Sequence, residues 1–178
     1  GACLGVPALT AHRAVMADGP VAGQTVLVQG AAGAVGQLAV QFAAAAGARV
    51  IGTVSSPAAA AHARAGGAEV AIDRHREDVA ARVLELTGGA GVDRVIEVDF
   101  GANWETDISV LRRNGTIAAY SSSSAPEVLL PYYRFAFKGA NLRFIQGFGM
   151  PEAALLRAQQ AVAALAAEGR LDVAVARR

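Results

Sequence analysis

Val26-Leu27-Val28-Gln29-Gly30-Ala31-Ala32-Gly33-Ala34-Val35-Gly36 places three glycines at G-x-x-G-x-x-G spacing between an apolar strand-like run and a helix-like one. Each glycine answers a physical need at such a junction. Gly30 permits a tight turn, and Gly33 with Ala34 leaves room for a pyrophosphate to approach the backbone. Gly36 lets the helix pack close to the sheet. Phosphates then meet unpaired N–H groups at the positive end of the helix. Three glycines alone are weak evidence in a chain with 20 of them. The order strand, loop, amphipathic helix is what gives the spacing meaning.

Working outward, strand and helix signals alternate along the chain. A helix is expected over residues 7–17, opened by Pro7 and closed by Asp18-Gly19-Pro20. Strands are expected at 25–29, 49–54, 69–72, 92–98, 116–120 and 142–146. Helices are expected at 34–46, 57–65, around 79–86, at 104–111 and at 151–168. On the last of these Leu155, Ala158, Val162 and Leu165 share one face. Residues 121–139, rich in Ser, Pro and aromatics, read as irregular, and 171–175 as strand-like.

This alternation implies an α/β fold of the Rossmann type: a doubly wound, six-stranded parallel sheet with helices on both faces. The strands are near-continuous apolar runs, as sheets covered on both sides require. The expected strand order is 3-2-1-4-5-6, with a binding crevice beside strands one and four.

Composition narrows the partners. With 178 residues, 53% hydrophobic and 17% charged, the chain can build one core, and 1–178 is read as a single domain. A net charge of +1 gives no reason to expect nucleic acid or an anionic membrane. No run suits a membrane span, and no secretory leader opens the chain. Cys3 is the single cysteine, so an internal disulfide and a structural zinc cluster are both excluded within it. A cytoplasmic, reducing setting is the expectation. Both ends look cut, and the chain is read as an excised domain.

Rival phosphate sites fail on their motifs. A P-loop needs Gly-Lys-Ser/Thr, but Lys138, the one lysine, lies between Phe137 and Gly139. A Tyr-x-x-x-Lys pattern would need Tyr where Arg134 stands. For the cofactor, an NAD site usually carries a carboxylate at the end of the second strand. Gly52-Thr53-Val54-Ser55-Ser56-Pro57 has none there. Hydroxyls and a guanidinium suit a 2′-phosphate, and Arg64 and Arg74 are the nearby cations. NADPH is therefore the expected cofactor. Arg74 can equally belong to a solvated mixed-charge loop, Asp73-Arg74-His75-Arg76-Glu77-Asp78.

The chain also resembles the ζ-crystallin-like quinone oxidoreductases of the medium-chain dehydrogenase/reductase superfamily. The resemblance rests on Gly5-Val6-Pro7-Ala8-Leu9-Thr10-Ala11-His12-Arg13-Ala14, the glycine loop, Gly52-Thr53-Val54-Ser55-Ser56, and Glu97-Val98-Asp99-Phe100-Gly101-Ala102-Asn103 with Asn114-Gly115-Thr116. It implies a zinc-free, two-domain, homodimeric reductase that moves hydride from NADPH to a quinone or related enone. The catalytic GroES-like domain would lie outside this chain, and the isolated chain would be inactive. An enoyl-thioester reductase and a non-catalytic dinucleotide sensor are the alternatives.

By that resemblance Gly30, Gly33, Ala34, Val35 and Gly36 form the pyrophosphate loop. Thr53, Ser55, Ser56 and Arg74 hold the adenosine side; Tyr120 and Ser121, then Ile145, Gly147 and Phe148, serve the nicotinamide side. Two positions depart from the pattern: Pro57-Ala58-Ala59-Ala60 lacks the lysine many relatives have there, and Arg74 stands where a Tyr is common. No catalytic residue and no metal ligand is assigned. Tyr120, Tyr132 and Tyr133 are conceivable oxyanion donors, although packing or a subunit contact suits the latter two better. His12, His62, His75 and Cys3 read as structural or solvated. Glu97 and Asp99 either meet a ribose or face a neighbouring helix.

Overall fold

In the computed structural model, which describes residues 4–147 and 149–173, the strands lie parallel in the order expected. They are β1 (Thr25–Val28), β2 (Arg49–Val54), β3 (Val70–Asp73), β4 (Val92–Glu97), β5 (Leu111–Ala119) and β6 (Asn141–Phe144), arranged β3-β2-β1-β4-β5-β6. The helices are α1 (Val6–Met16), α2 (Ala34–Ala45), α3 (Pro57–Ala65), α4 (Val79–Leu86), α5 (Phe100–Val110), α6 (Tyr132–Ala136) and α7 (Glu152–Ala167). The readings made for Cys3 and Phe148 lie outside the described residues, as do positions 174 and 175 of the strand-like run.

Alternation along each strand divides the interior into two cores. Val26 and Val28 of β1, with Val50, Val54 and Ile96, face Leu38, Ala39 and Phe42 of α2 and the inner side of α1. Leu27, Ile51, Val95 and Ile117 point the other way, toward Val83 of α4 and Phe100 and Ile108 of α5. Burial on both faces is why these strands read as unbroken apolar runs. α7 covers α1 from outside, with Ala154, Ala158 and Val162 buried and Leu155 and Leu165 half-buried. No helix among the described residues is long and apolar enough to cross a membrane.

Local chemistry accounts for the element ends. Ser56 caps α3, its Oγ accepting from the Ala59 amide at 3.2 Å, and Asp78 caps α4 by accepting from Ala81 at 3.0 Å. Lys138 Nζ donates to the carbonyls of Ser109 (2.9 Å) and Leu111 (2.5 Å), closing the C-terminal end of α5. Arg94, buried in the sheet, donates to Ala14 O (3.0 Å) and pairs with Asp18 (2.8 Å), tying β4 to the end of α1. Burial pushes the Asp18 carboxyl up, but the hydrogen bonds and charges of Arg94 and Arg143 outweigh it and hold Asp18 below the usual range.

Four expectations need correction. α5 begins at Phe100, four residues before Trp104, because its first turn is held from outside. Phe100 N–H donates to Ser121 O (3.0 Å), and Gly101 N–H to Ser122 Oγ (3.0 Å). β5 starts at Leu111 and not at Thr116, but it leaves the ladder in between. Val92 pairs with Leu111 and Arg94 with Thr116, and Asn114 takes a positive φ of 60° at the tip of the excursion. The irregular stretch contains the short helix α6, whose Phe135 packs beside Trp104. Residues 171–173 form no strand: Gln41 holds that segment through Asp172, donating to its carbonyl (2.9 Å) and accepting from its amide (2.6 Å).

The closest constraint lies at the junction of β1 and α2, where a Cβ on Gly36 would collide with the carbonyl of Gly30 and crowd Ala31 Cα. A Gly36→Ala substitution is therefore expected to destabilise the fold by about 1–3 kcal/mol, read as a lower urea midpoint at unchanged slope. A Gly33→Ala chain, whose new Cβ meets only Gly30 O at 3.3 Å, should unfold close to the wild-type midpoint.

Candidate functional site

The sheet reverses its order between β1 and β4, and a cleft of about 530 Å³ opens at the carboxyl ends of these strands. Its floor is the glycine turn. Gly30 adopts a φ of 65°, and Gly33 N–H closes the turn on Gly30 O at 2.9 Å. The first intrahelical bond of α2 runs from Gln37 N–H to Gly33 O (2.9 Å), and no side chain caps the helix. The amides of Ala34, Val35 and Gly36 thus have no intrahelical acceptor, and the turn has no side chain to cover them. This is a helix end built to receive an anion.

The cleft unites Gly30, Gly33, Thr53, Ser55, Arg74 and Ser121 of the residues expected. Arg74 is exposed, follows β3 and, among the described residues, has no carboxylate within salt-bridge reach. Arg64 is also exposed but does not line the cleft. Thr53 plays a different part from the one expected. It is buried, and its hydroxyl is engaged on both sides, donating to Gln29 Oε1 (2.8 Å) and accepting from Gly30 N–H (3.0 Å). It holds the turn and has no free group for the adenosine side. Ser56 is spent on capping α3 and stands outside the cleft lining.

Ala34 is exposed and Val35 half-buried on the first turn of α2, while Gly36 is buried against the loop; none of the three lines the cleft, but their amides follow directly on Gly33, which does. Tyr120, Ile145 and Gly147 do not line the cleft. Tyr120 is partly buried on the apolar core, and burial first, then the Glu97 charge, raise its phenol above the ordinary value. Ile145 continues the sheet edge by donating its N–H to Ala119 O (2.8 Å). Gly147 crosses α1 so closely that a Cβ there would meet Thr10 Oγ1 at 2.7 Å.

The opposite wall carries groups that the glycine pattern does not announce. Asp99 lines the cleft, and its Oδ1 accepts from Ser124 N–H (3.1 Å) and Ser124 Oγ (2.8 Å), pinning the serine loop. Asn103, also in the lining, donates to Glu97 Oε1 at 3.0 Å. Glu97 itself is fully buried and faces α5. Asp107 lies beside it, equally buried, and accepts from Gln29 Nε2 at 2.9 Å. A carboxylate seven residues after Phe100, on the face that also carries Ile108, is the sequence signal that could have found Asp107.

The remaining candidates are elsewhere. Tyr132 and Tyr133 stand exposed on α6, edge to face with each other at 5.3 Å. His12 packs edge-on against Phe42 at 5.5 Å, its pKa lowered by burial and by the charges of Arg13 and Arg157. His62 and His75 make no cluster with other metal-ligating side chains; among the described residues no group of three or more His, Cys, Asp or Glu could hold an ion.

Comparison with known proteins places this geometry. Residues 34–167 match the family described as zinc-binding dehydrogenase. A quinone oxidoreductase of Pseudomonas aeruginosa is 42% identical over 104 residues, which is 58% of this chain and 32% of that protein. A crotonyl-CoA reductase of Streptomyces collinus is 36% identical over 135 residues, covering 65% of this chain and 30% of that protein. The solved structure of Escherichia coli quinone oxidoreductase complexed with NADPH superposes with a TM-score of 0.86 at 28% identity, over 96% of this chain and 54% of that one. The chain thus spans about a third of the length of these two curated relatives and about half of the solved structure. A strand order, a glycine turn and a sequence match that agree over three quarters of the chain carry one conclusion: the chain belongs to the zinc-binding dehydrogenase family.

Proposed function

We propose that this chain is the cofactor-binding domain of an NADPH-dependent, zinc-independent reductase that delivers hydride to a quinone or a related enone. One observation carries the cofactor assignment. The glycine turn that leads into the uncapped end of α2, through Gly30, Ala32 and Gly33, lines one cleft with Arg74, which has no carboxylate within salt-bridge reach among the described residues, while the end of β2 has hydroxyls and no acid. The amides of Ala34, Val35 and Gly36 suit a pyrophosphate, and Arg74 with Ser55 suits a phosphate on the adenosine ribose. Similarity to a quinone oxidoreductase solved with NADPH supports the same reading.

The fit is one of charge and space. Gly33, exposed in the turn, leaves the backbone bare where a phosphate must approach, and Asp99, the acid of the cleft, sits across it and is bonded to Ser124. When bound, a nicotinamide would supply the hydride. The residues of this chain bind and orient it, with Ser121 at the end of β5 on the nicotinamide side of the cleft. Groups for the acceptor would come from a catalytic domain beyond these residues. Zinc independence is part of the proposal on the resemblance to the quinone oxidoreductases, since ligands for a catalytic zinc would be expected with the other acceptor groups in the catalytic domain.

The chain is further proposed to act as a homodimer through the outer strand β6. That edge is unpaired in the sheet, and Phe144 beside it is 74% exposed, with Tyr132, Tyr133 and Phe137 of the α6 segment exposed as well. Phe144→Glu in the full-length protein should shift sedimentation from dimer to monomer; an unchanged dimer would move the seam elsewhere.

In the full-length enzyme Arg74→Ala should weaken NADPH at least about tenfold more than NADH, as expected when a charge-assisted phosphate contact is lost. Equal losses for the two cofactors would remove Arg74 from the phosphate site. Turnover measurements address the rest. The full-length enzyme should reduce quinones, and keep doing so after dialysis against a chelator, while the 178-residue chain binds NADPH and turns nothing over. Faster reduction of a crotonyl thioester than of any quinone would favour the enoyl-thioester reading that the Streptomyces relative suggests.

A further inference from the structure

Beneath the cleft, two buried sets of hydrogen bonds, one from the glycine turn and one from the opposite wall, end on neighbouring carboxyl groups. Gly30 N–H donates to Thr53 Oγ1 (3.0 Å), Thr53 Oγ1 donates to Gln29 Oε1 (2.8 Å), and Gln29 Nε2 donates to Asp107 Oδ1 (2.9 Å). Asp107 stands one turn beyond Asn103 on α5, and Asn103 contacts Glu97, so the two buried carboxyls are neighbours. Glu97 Oε1 then accepts from Asn103 Nδ2 (3.0 Å) and from the Asp99 amide, both residues of the far wall.

The two carboxyls are fully buried, and one oxygen on each, Glu97 Oε2 and Asp107 Oδ2, receives no N–H or O–H from any other group. A proton lying between these two oxygens would give both a partner and spare the fold a second buried charge. The surroundings say which group keeps it. Glu97 has two N–H donors on its other oxygen, a setting that favours the anion, whereas Asp107 has one neutral amide. Asp107 is the acid and Glu97 the charged acceptor. Burial first, then the Glu97 charge, raise Asp107 well above the carboxylate range, in keeping with that assignment.

A pair of apolar side chains would fill this volume without desolvating a charge. What apolar groups cannot do is fix the direction of each bond from one wall to the other. We propose that the proton shared by Glu97 and Asp107 positions the dinucleotide turn, holding Gln29 and Thr53 so that Gly30 N–H points inward, and that its loss as pH rises releases the turn. The proposal rests on the reading of this cleft as a dinucleotide site. Both acids are positioning residues. They touch no ligand and act through Gln29 and Thr53.

The titratable groups facing the pair are Asp99, at the start of α5, and Tyr120, after β5. β1 and β2 contribute only the neutral Gln29 and Thr53. The other charges of β4 are engaged elsewhere, Asp93 with Thr25 N–H and Arg112, and Arg94 with Asp18. The sign follows from the raised Asp107. A carboxyl held protonated in the fold contributes stability that is complete in acid and is lost as pH rises through its folded range. Turn geometry, and dinucleotide affinity with it, should decline in the same window.

The experiment titrates NADPH into the chain from mildly acidic to alkaline pH for wild type, Asp107→Asn and Asp107→Leu, and follows exchange of the Gly30 amide by NMR. Wild-type affinity should fall by up to about tenfold per pH unit once the shared proton is lost, since one proton is linked to binding. Asp107→Asn keeps a donor toward Glu97 and an acceptor toward Gln29 but cannot ionise, so its affinity should match wild type at the acidic end of the range and stay flat as pH rises. Asp107→Leu should bind weakly throughout and lose Gly30 amide protection. An Asp107→Asn profile that falls with pH as wild type does would overturn the proposal. If no chain binds NADPH at any pH, the dinucleotide reading fails, and amide exchange alone decides the positioning role. Protection that falls as pH rises in wild type and not in Asp107→Asn upholds it, and identical profiles refute it.

Discussion

The carbonyl oxygen of Gly30 occupies space that a side chain at residue 36 would need. Because Gly36 lacks one, the chain turns from β1 into α2 within a few residues, and the helix starts against the loop. Everything at the cleft inherits that geometry. The helix end arrives with its first amides uncovered, Gly33 keeps the approach open, and Gly30 accepts a positive φ to complete the turn. The crossover from β1 packs on one face of the sheet and the helix after β4 on the other. The crevice between them is what a doubly wound sheet leaves at its point of reversal.

A turn this exposed would be loose if only its own atoms held it. Support comes from below, where the apolar layers give way to Gln29, Thr53, Glu97 and Asp107, all buried. Polar groups at such depth are costly unless each finds a partner, and here the partners form two series that end on neighbouring carboxyls. A proton serving both carboxyls would limit the cost of burying an ionised group. The loop sequence announces where a ligand could sit, and the buried series explains why the loop stays in shape.

How much of this was legible depended on whether the deciding forces were local. The bounds of β2 and α3 were readable to the residue, since Pro57 opens the helix, Ser56 caps it and the Gly66-Gly67 pair ends it. The glycine turn was equally readable because its steric needs repeat wherever a strand meets a helix this closely. The start of α5 was not, because Asp99-Phe100-Gly101 looks like loop and becomes helix only when the serine segment some twenty residues later accepts its amides. The exposed excursion at Arg112–Asn114 and the short α6 were hidden for the same reason: tertiary neighbours decide them. In the site, the part that Thr53 plays in holding the turn was not legible, since nothing in Gly52-Thr53-Val54 says that Gln29 lies within reach of its hydroxyl. Asp107 was passed over because a lone acid in a helix ordinarily faces water.

The cleft also separates its charges in a way that bears on cofactor choice. The acid that lines it, Asp99, is drawn to the far wall by Ser124, and the buried negative charge at Glu97 is held by the donors of Asn103 and Asp99. The wall beside β2 and β3 is left with Arg74, and because Arg74 is exposed its attraction for a phosphate is screened by solvent and salt. A single exposed guanidinium therefore cannot set the preference by attraction alone. The missing carboxylate at the end of β2 matters as much, since an acid there would accept ribose hydroxyls and repel a phosphate in the same place. In the proposed reading, selectivity for NADPH is the sum of a weak screened attraction and an absent repulsion, and the second of these needs no ordered side chain to act.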